Sequence, residues 1–484
     1  MKYSIIFIIF IFMISACSLA PEYKAPKVEV PEVFKEESND TADDQYLWQP
    51  VESLEKIDRG QWWKIFNQAD LNALEKQAIE SNQSLKVIAA RVEQSRDIAR
   101  ANKGGFLPDI DFGGNVVRSK PSAPSLAAFG APANTPTNPY TLYNSQASIS
   151  YEADIFGRVR DTYKASVLDA EAQSSLYQSA LLSLQADVAQ NYFSIRALDS
   201  ERKLLRNTVK IRSEAARIMQ RKFKEGDAGE QDQARTQSEL ASVEADLIAV
   251  IRQRTNLEHA LAVLLGKIPS NFVFAEAPLE DMMPVAIPAG LPSDLLKRRP
   301  DVLAAIDAMR AANSRIGVAK TAYFPSITLT ASGGFQSNSL SDIFNWSGRT
   351  WALGQVAGNA LSLPIFHGGR DYANVKAAKS AFDEAVANYR EQVLIAFREV
   401  EDSLVDQRLL AKQSVKEDRA ATTASRTTDL AKKRYHEGET DYFEVVDSER
   451  ISLAAERSAV QIRGQRFITT VSLIRALGGG WGNL

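Results

Sequence analysis

Cysteine is almost missing from this chain of 484 residues: Cys17 stands alone, which excludes an internal disulfide and any four-cysteine metal site. Histidine is nearly as scarce. His259, His367 and His436 are scattered without zinc-motif spacing, so each reads as an ordinary surface or packing residue. Neither sign of charge dominates. With 57 basic and 60 acidic residues there is no net basic field, and no nucleic-acid partner is expected. Signatures of catalysis are lacking as well: there is no GxxxxGK[ST] phosphate loop and no GxSxG elbow, and HEGET (His436 to Thr440) lacks the second histidine of HExxH. Nothing here predicts an enzyme, a metal or a cofactor.

Glycine and proline are absent from two stretches of 68 residues each, Arg158 to Glu225 and Arg370 to Glu437. As α-helix each would reach roughly 100 Å at 1.5 Å per residue. In the first, Leu181, Leu184, Val188, Ile195, Leu198, Leu205 and Val209 follow a 3.5-residue spacing, which keeps one seam against a neighbouring helix. Each stretch stops at a glycine in an acidic turn: FKEGDAGEQDQAR around Gly226 and YHEGETDYFEVVD around Gly438. A glycine there permits the left-handed backbone of a sharp helix-to-helix reversal.

The chain repeats itself at an offset of 212 positions, the distance from Gly226 to Gly438. At that offset ALAVLLG answers SLIRALG. NKGGFLPDIDFG (from Asn102) is echoed by AKTAYFPSITLT (from Ala319), and DIFGRVRD (from Asp154) by PIFHGGRD (from Pro364). Two repeats related by duplication follow. The expected organisation is a signal segment 1–16, a tether 17–60, a first repeat 61–265, a link 266–300, a second repeat 301–477 and a tail 478–484. Each repeat holds a β-hairpin (about 106–155 and 323–365) and a long helical hairpin (158–265 and 370–477).

Before each long helix the period changes to two. Ser145, Ala147, Ile149, Tyr151 and Ala153 alternate with Gln146, Ser148, Ser150 and Glu152. Ile327, Leu329, Ala331 and Phe335 alternate with Ser326, Thr328, Thr330 and Ser332. Apolar against small and polar over about ten residues fits a membrane-barrel strand. Two strands per copy make four, with the one near Trp351 to Leu361 the least regular. Four strands cannot close a barrel, and an open edge in lipid would leave amides and carbonyls unpaired. Several chains must therefore share one wall.

At the N-terminus, Lys2 precedes the apolar Ile5 to Ile14, which is too short to span a bilayer and has the proportions of a secretory signal. ISAC resembles the bacterial lipobox, with Ile14 where leucine is usual. The resemblance implies that Cys17 becomes the lipidated first residue, and Ser18 after it points to the outer membrane. From Ser18 to about Tyr46 the chain is proline-spaced, then acidic, and reads as a tether lying along a surface.

CSLAPEYKAPKVEVPEVF, WWKIFNQADLNALEKQAIESNQSLKVIAARVEQSR, the stretch from Gly290 to Thr330 and VSLIRALGGGW together resemble the outer-membrane efflux lipoproteins of the TolC and OprM type, often called NodT. The resemblance covers nearly the whole chain. It implies a homotrimer, mainly α with a membrane β part. Three chains would build a twelve-stranded β-barrel in the outer membrane, continuous with a twelve-helix α-barrel in the periplasm. The N-terminal helices, the link 266–300 and the C-terminal helix would form an equatorial belt. It further implies a passive duct in a tripartite pump, with a periplasmic adaptor (membrane fusion protein) and an inner-membrane transporter of the RND type. The implied cargo is small toxic compounds or drugs. A peptide or protein (type I) exporter, a metal-ion pump and, more remotely, a lipid-anchored periplasmic coiled-coil scaffold remain alternatives.

By position, the family places adaptor-contacting tips at Gly226 and Gly438 and a periplasmic constriction at Phe443, Glu444 and Asp447. A gate latch is implied for Tyr435 with Asp232. Thr440 stands where a relative has an arginine, so a charged latch from that position is absent. Three copies of Asp447 on one axis would repel, weakening closure at high pH and favouring cations. Alternatively these acids only complement a helix N-terminus, which suffices for Glu439 and Asp441 but less well for Asp447, beyond the first turn. The basic run Arg202 to Lys224 reads either as a solvated helix face or as a docking surface.

Overall fold

The computed structural model describes residues 18–36, 59–128, 130, 132, 135, 137–279, 284–285, 287, 292–354 and 361–479. They fall into two units. The first takes the described residues within 1–26, 92–173 and 305–389, and the second those within 27–91, 174–304 and 390–484. In chain order the first half gives α1 (Ala69–Ser81), α2 (Gln83–Gly104), β1 (Asp109–Ser119), α3 (Ala123–Ala128), β2 (Tyr140–Glu152), α4 (Arg158–Glu225) and α5 (Glu230–Leu264). The second gives α6 (Pro292–Arg298), α7 (Pro300–Thr321), β3 (Ser326–Ser337), β4 (Arg349–Leu353), β5 (Leu361–Ser362), α8 (Arg370–His436) and α9 (Tyr442–Ala476).

The sheet lies in the first unit, antiparallel in the order β1-β2-β3-β4, with β5 pairing the start of β3. Its register sorts the side chains by face. Ile110 stands beside Ile149 and Phe112 beside Ala147; Ala331, Gly333, Trp351 and Leu353 continue those rows across β3 and β4. The alternate rows are polar or small: Asp111, Ser148 and Ser332, then Asn115, Asn144 and Gln336. Phe112 and Trp351 are 77% and 73% exposed in the single chain, an apolar face with no protein over it. Gly334 has its reason in the pairing, because a Cβ there would run into the carbonyl oxygen of Ser145. Among the described residues β1 and β4 each have a strand neighbour on one side only.

Two details differ from the expectation. The fourth strand is two pieces, β4 and β5, both facing β3, and β4 ends at Gly354 with a left-handed φ of +95°. The proline-rich connection after β1 contains the short α3, where Ser122 accepts from the Ser125 amide at 3.3 Å.

In the second unit the expected seam of α4 is buried: Leu184, Val188, Ile195 and Leu205. Leu205 packs with Val243 and Val250 of α5, and Leu453 of α9 closes over them. Phe193 stacks on Phe467 at 4.8 Å, with Phe66 set edge-on against Phe193 at 4.8 Å. The link after α5 is strapped down by buried charge. Arg254 donates to Asp199 and to the Phe274 carbonyl, while Asp199 accepts from the Ala277 amide at 3.1 Å. A buried ion pair is tolerable when its remaining donors and acceptors are used, as they are here. The duplication is visible in length, since α4 and α8 have 68 and 67 residues and α5 and α9 have 35 each.

Candidate gate at the helical turns

Both long helices end in the same backbone device. Gly226 and Gly438 have φ of +84° and +78°, values that an L side chain adopts only at a cost. Asp227 N donates to Lys222 O at 2.8 Å and Glu439 N to Arg434 O at 2.9 Å, while each glycine amide bonds back three residues. This Schellman closure satisfies the last carbonyls of each helix. After the second glycine, Asp441 caps α9 by accepting from the Glu444 amide at 3.2 Å.

The residues singled out from sequence gather around these turns, with partners of their own. Phe443 is 49% exposed, and the guanidinium of Arg235 from α5 sits 4.2 Å from its ring centre. Glu444 accepts from Arg434 at 2.9 Å and from the Thr440 hydroxyl. Asp447 pairs with Arg450 at 2.7 Å, one turn further along α9. The Tyr435 hydroxyl accepts from Lys222 at 3.3 Å, and its ring stands 5.4 Å from that of Tyr442. Tyr442 is half-buried, and that burial first of all pushes its phenol upward, so it stays neutral.

Asp232 does not meet Tyr435 among the described contacts; its backbone carbonyl accepts from Thr236 at 2.6 Å. Within one chain two cross-helix ties, Lys222 to Tyr435 and Arg235 to Phe443, set cations against rings, beside the ion pairs of Arg434 with Glu444 and Lys432 with Glu449. Sequence reasoning placed Lys222 only in the basic run, not against Tyr435, and overlooked Arg235. The signal was in the repeat: the offset of 212 lays Lys222 on Arg434, Asp232 on Glu444 and Arg235 on Asp447. Much of the basic run is engaged inside the chain. Arg202 and Arg206 hold Glu276, Arg212 holds Glu239 at 2.7 Å, and Arg217 holds Glu214. Cys17 lies outside the described residues.

Residues 74–267 and 291–479 match the family described as outer membrane efflux protein. The chain belongs to that family. It is 31% identical to the toluene efflux pump outer membrane protein TtgF of Pseudomonas putida, over 97% of this chain and 95% of that one. The cation efflux system protein CusC of Escherichia coli is 26% identical over 97% and 96%. Among solved structures, the Campylobacter jejuni CmeC outer membrane channel superposes with a TM-score of 0.85 at 27% identity, over 96% of this chain and 95% of that one. The efflux protein is therefore mainly α with a membrane β part, in the fold class of trimeric β-barrels continuous with an α-barrel. It is the outer-membrane component of an efflux pump, reaching into the periplasm.

Proposed function

We propose that three copies of the efflux protein close one twelve-stranded wall around a common axis and act as a passive duct for small toxic organic compounds. The observation that carries this is the sheet. It has four strand positions, one face of Ile110, Phe112, Ile149, Trp351 and Leu353, an opposite face of Asp111, Asn144 and Ser148, and, among the described residues, no strand neighbour beyond β1 or β4. An apolar outside and a polar inside are what lipid and a water-filled lumen each require. Closure by three copies removes every edge. Purified in detergent, the protein should migrate as a heat-modifiable trimer and conduct in planar bilayers. A nonconducting monomer would remove this reading.

The mouth of the duct is assigned to the turns at Gly226 and Gly438, which would also meet the periplasmic adaptor. Phe443 supplies an apolar ring there, and Glu444 and Asp447 acidic ones. In this reading the latch relies on Arg235 and Lys222 against Phe443 and Tyr435, which takes over from the implied Tyr435–Asp232 bond. An adaptor and an RND-type transporter supply docking and energy, Cys17 carries the lipid anchor, and the chain performs no catalysis and needs no cofactor. The name of CusC favours metal ions as a second cargo class. Deletion of the chain's gene in its own host decides between them: sensitivity to several unrelated organic compounds supports the first cargo, and sensitivity to one metal alone supports the second.

A further inference from the structure

The stretch just behind Cys17 is held by a built socket in the first unit. Ser18 Oγ donates toward both carboxylate oxygens of Asp161, 2.8 Å from each. Lys320 Nζ donates to the Leu19 carbonyl at 3.1 Å, and Asn313 Nδ2 to the Pro21 carbonyl at 2.8 Å. Arg310 lies over the ring of Tyr23, 5.6 Å from its centre. The socket depends on Gly317, since a Cβ there would strike the Asp161 carboxylate and come within 2.8 Å of the Ala20 amide. The segment is thus held at four points, the Ser18 side chain, the Leu19 and Pro21 carbonyls and the Tyr23 ring.

Beside that clamp lies a cavity of about 460 Å³, walled by Leu19, Tyr323, Phe324, Tyr372, Val375 and three lysines, Lys320, Lys376 and Lys379. Tyr323 and Phe324 lie just before β3, separated from it by Pro325, and Tyr372 and Val375 are in the first turns of α8. Phe156, just after β2, stacks on Phe324 at 4.8 Å. Aromatic rings gathered at one end of barrel strands mark a membrane–water interface. A volume in this range is that of a small-molecule site.

We propose that this cavity is the seat of the lipid on Cys17, and that Asp161 and Gly317 form the clamp that aims it there. The inference rests on the reading that Cys17 is acylated. Covalent geometry supplies the aim: the Cα atoms of Cys17 and Ser18 are about 3.8 Å apart, and two extended residues from Leu19 span at most about 7 Å. The glyceryl ester segment meets the aromatic wall, and the lysines meet phosphates of neighbouring lipids. A fixed departure point makes the anchor part of the fold rather than a loose leash.

The test uses the full chain in outer membranes of cells fed an alkyne-tagged fatty acid, with the photo-cross-linker benzoylphenylalanine in place of Lys379. After irradiation, the peptide carrying position 379 should be found joined to the tagged N-terminal lipopeptide. Ser18→Ala and, separately, Gly317→Ala should lower that yield about tenfold, the shift that losing one hydrogen bond to a charged group imposes on a docked segment. Acylation and trimer amount should stay unchanged. Cross-links only to free phospholipid, or equal yields in all three backgrounds, would overturn the seat while leaving acylation standing. A mature N-terminus whose mass shows no acyl group would instead overturn the lipidation reading and the seat together.

Discussion

At the scale of single residues, the turns and the core make opposite uses of charge. Arg235 over Phe443 is a cation–π contact of the order of 0.5–2 kcal/mol, enough to bias a closed mouth. Arg235→Ala is expected to raise single-channel conductance in planar bilayers, while Arg235→Lys keeps much of the closure. Asp447→Ala removes three mutually repelling carboxylates, so it should leave the mouth at least as firmly closed and reduce the preference for cations; no change in either variant would remove the gate from this place. Glu75 is different: it is 0% exposed, and neither carboxylate oxygen has a hydrogen-bond partner among the described residues. Burial pushes its carboxyl well above the usual glutamate range. From the ordinary glutamate value up to that raised one, the folded chain keeps a proton that the unfolded chain has lost. Stability therefore falls as pH rises through this window. Melting curves at about pH 5 and about pH 8 should show the wild type losing stability, with a flatter response in Glu75→Gln. Residue types at the turns could be read from sequence, but their pairing could not. Whether Tyr435 meets Asp232 or Lys222 depends on the axial shift between neighbouring helices, which core packing decides.

At the scale of elements, legibility followed the strength of the physical constraint. The long helices end where glycine is obligatory, so α4 stops at Glu225 and α8 at His436, each within a residue of the stretch free of glycine and proline. Replacing Gly438 by alanine forces a side chain into φ of +78°, at a cost of about 1–2 kcal/mol. Space is not the obstacle there, since a Cβ added at Gly438 would meet nothing within 4 Å. Hydrogen exchange should therefore speed up at Glu439 and in the first turn of α9, with the rest of the chain unaffected. Strands β2 and β3 were readable from period two, and the fourth, expected to be the least regular, is split among the described residues into β4 and β5. Gly354 turns its backbone there, with a φ of +95°. The short α3 was hidden in a proline-rich stretch, where local capping by Ser122 rather than periodicity makes the turn.

At the scale of the whole molecule, the faces of the sheet set the tolerance to charge. Phe112→Lys places an ammonium on the apolar face and Ser148→Lys one on the polar face. The first should cost about 2–4 kcal/mol near mid-bilayer, visible as lost heat-modifiable trimer in outer-membrane fractions. The second should leave assembly intact and shift ion selectivity. Equal loss in both would mean that the two faces are not lipid and lumen.

The edges of β1 and β4, without a further strand among the described residues, carry a genetic corollary. A chain whose wall depends on its siblings has no private finished state, so insertion and assembly become one event. A copy damaged along either border should then act as a dominant poison: co-expressed with the intact form, it would enter most complexes and spoil them, leaving only a minority sound.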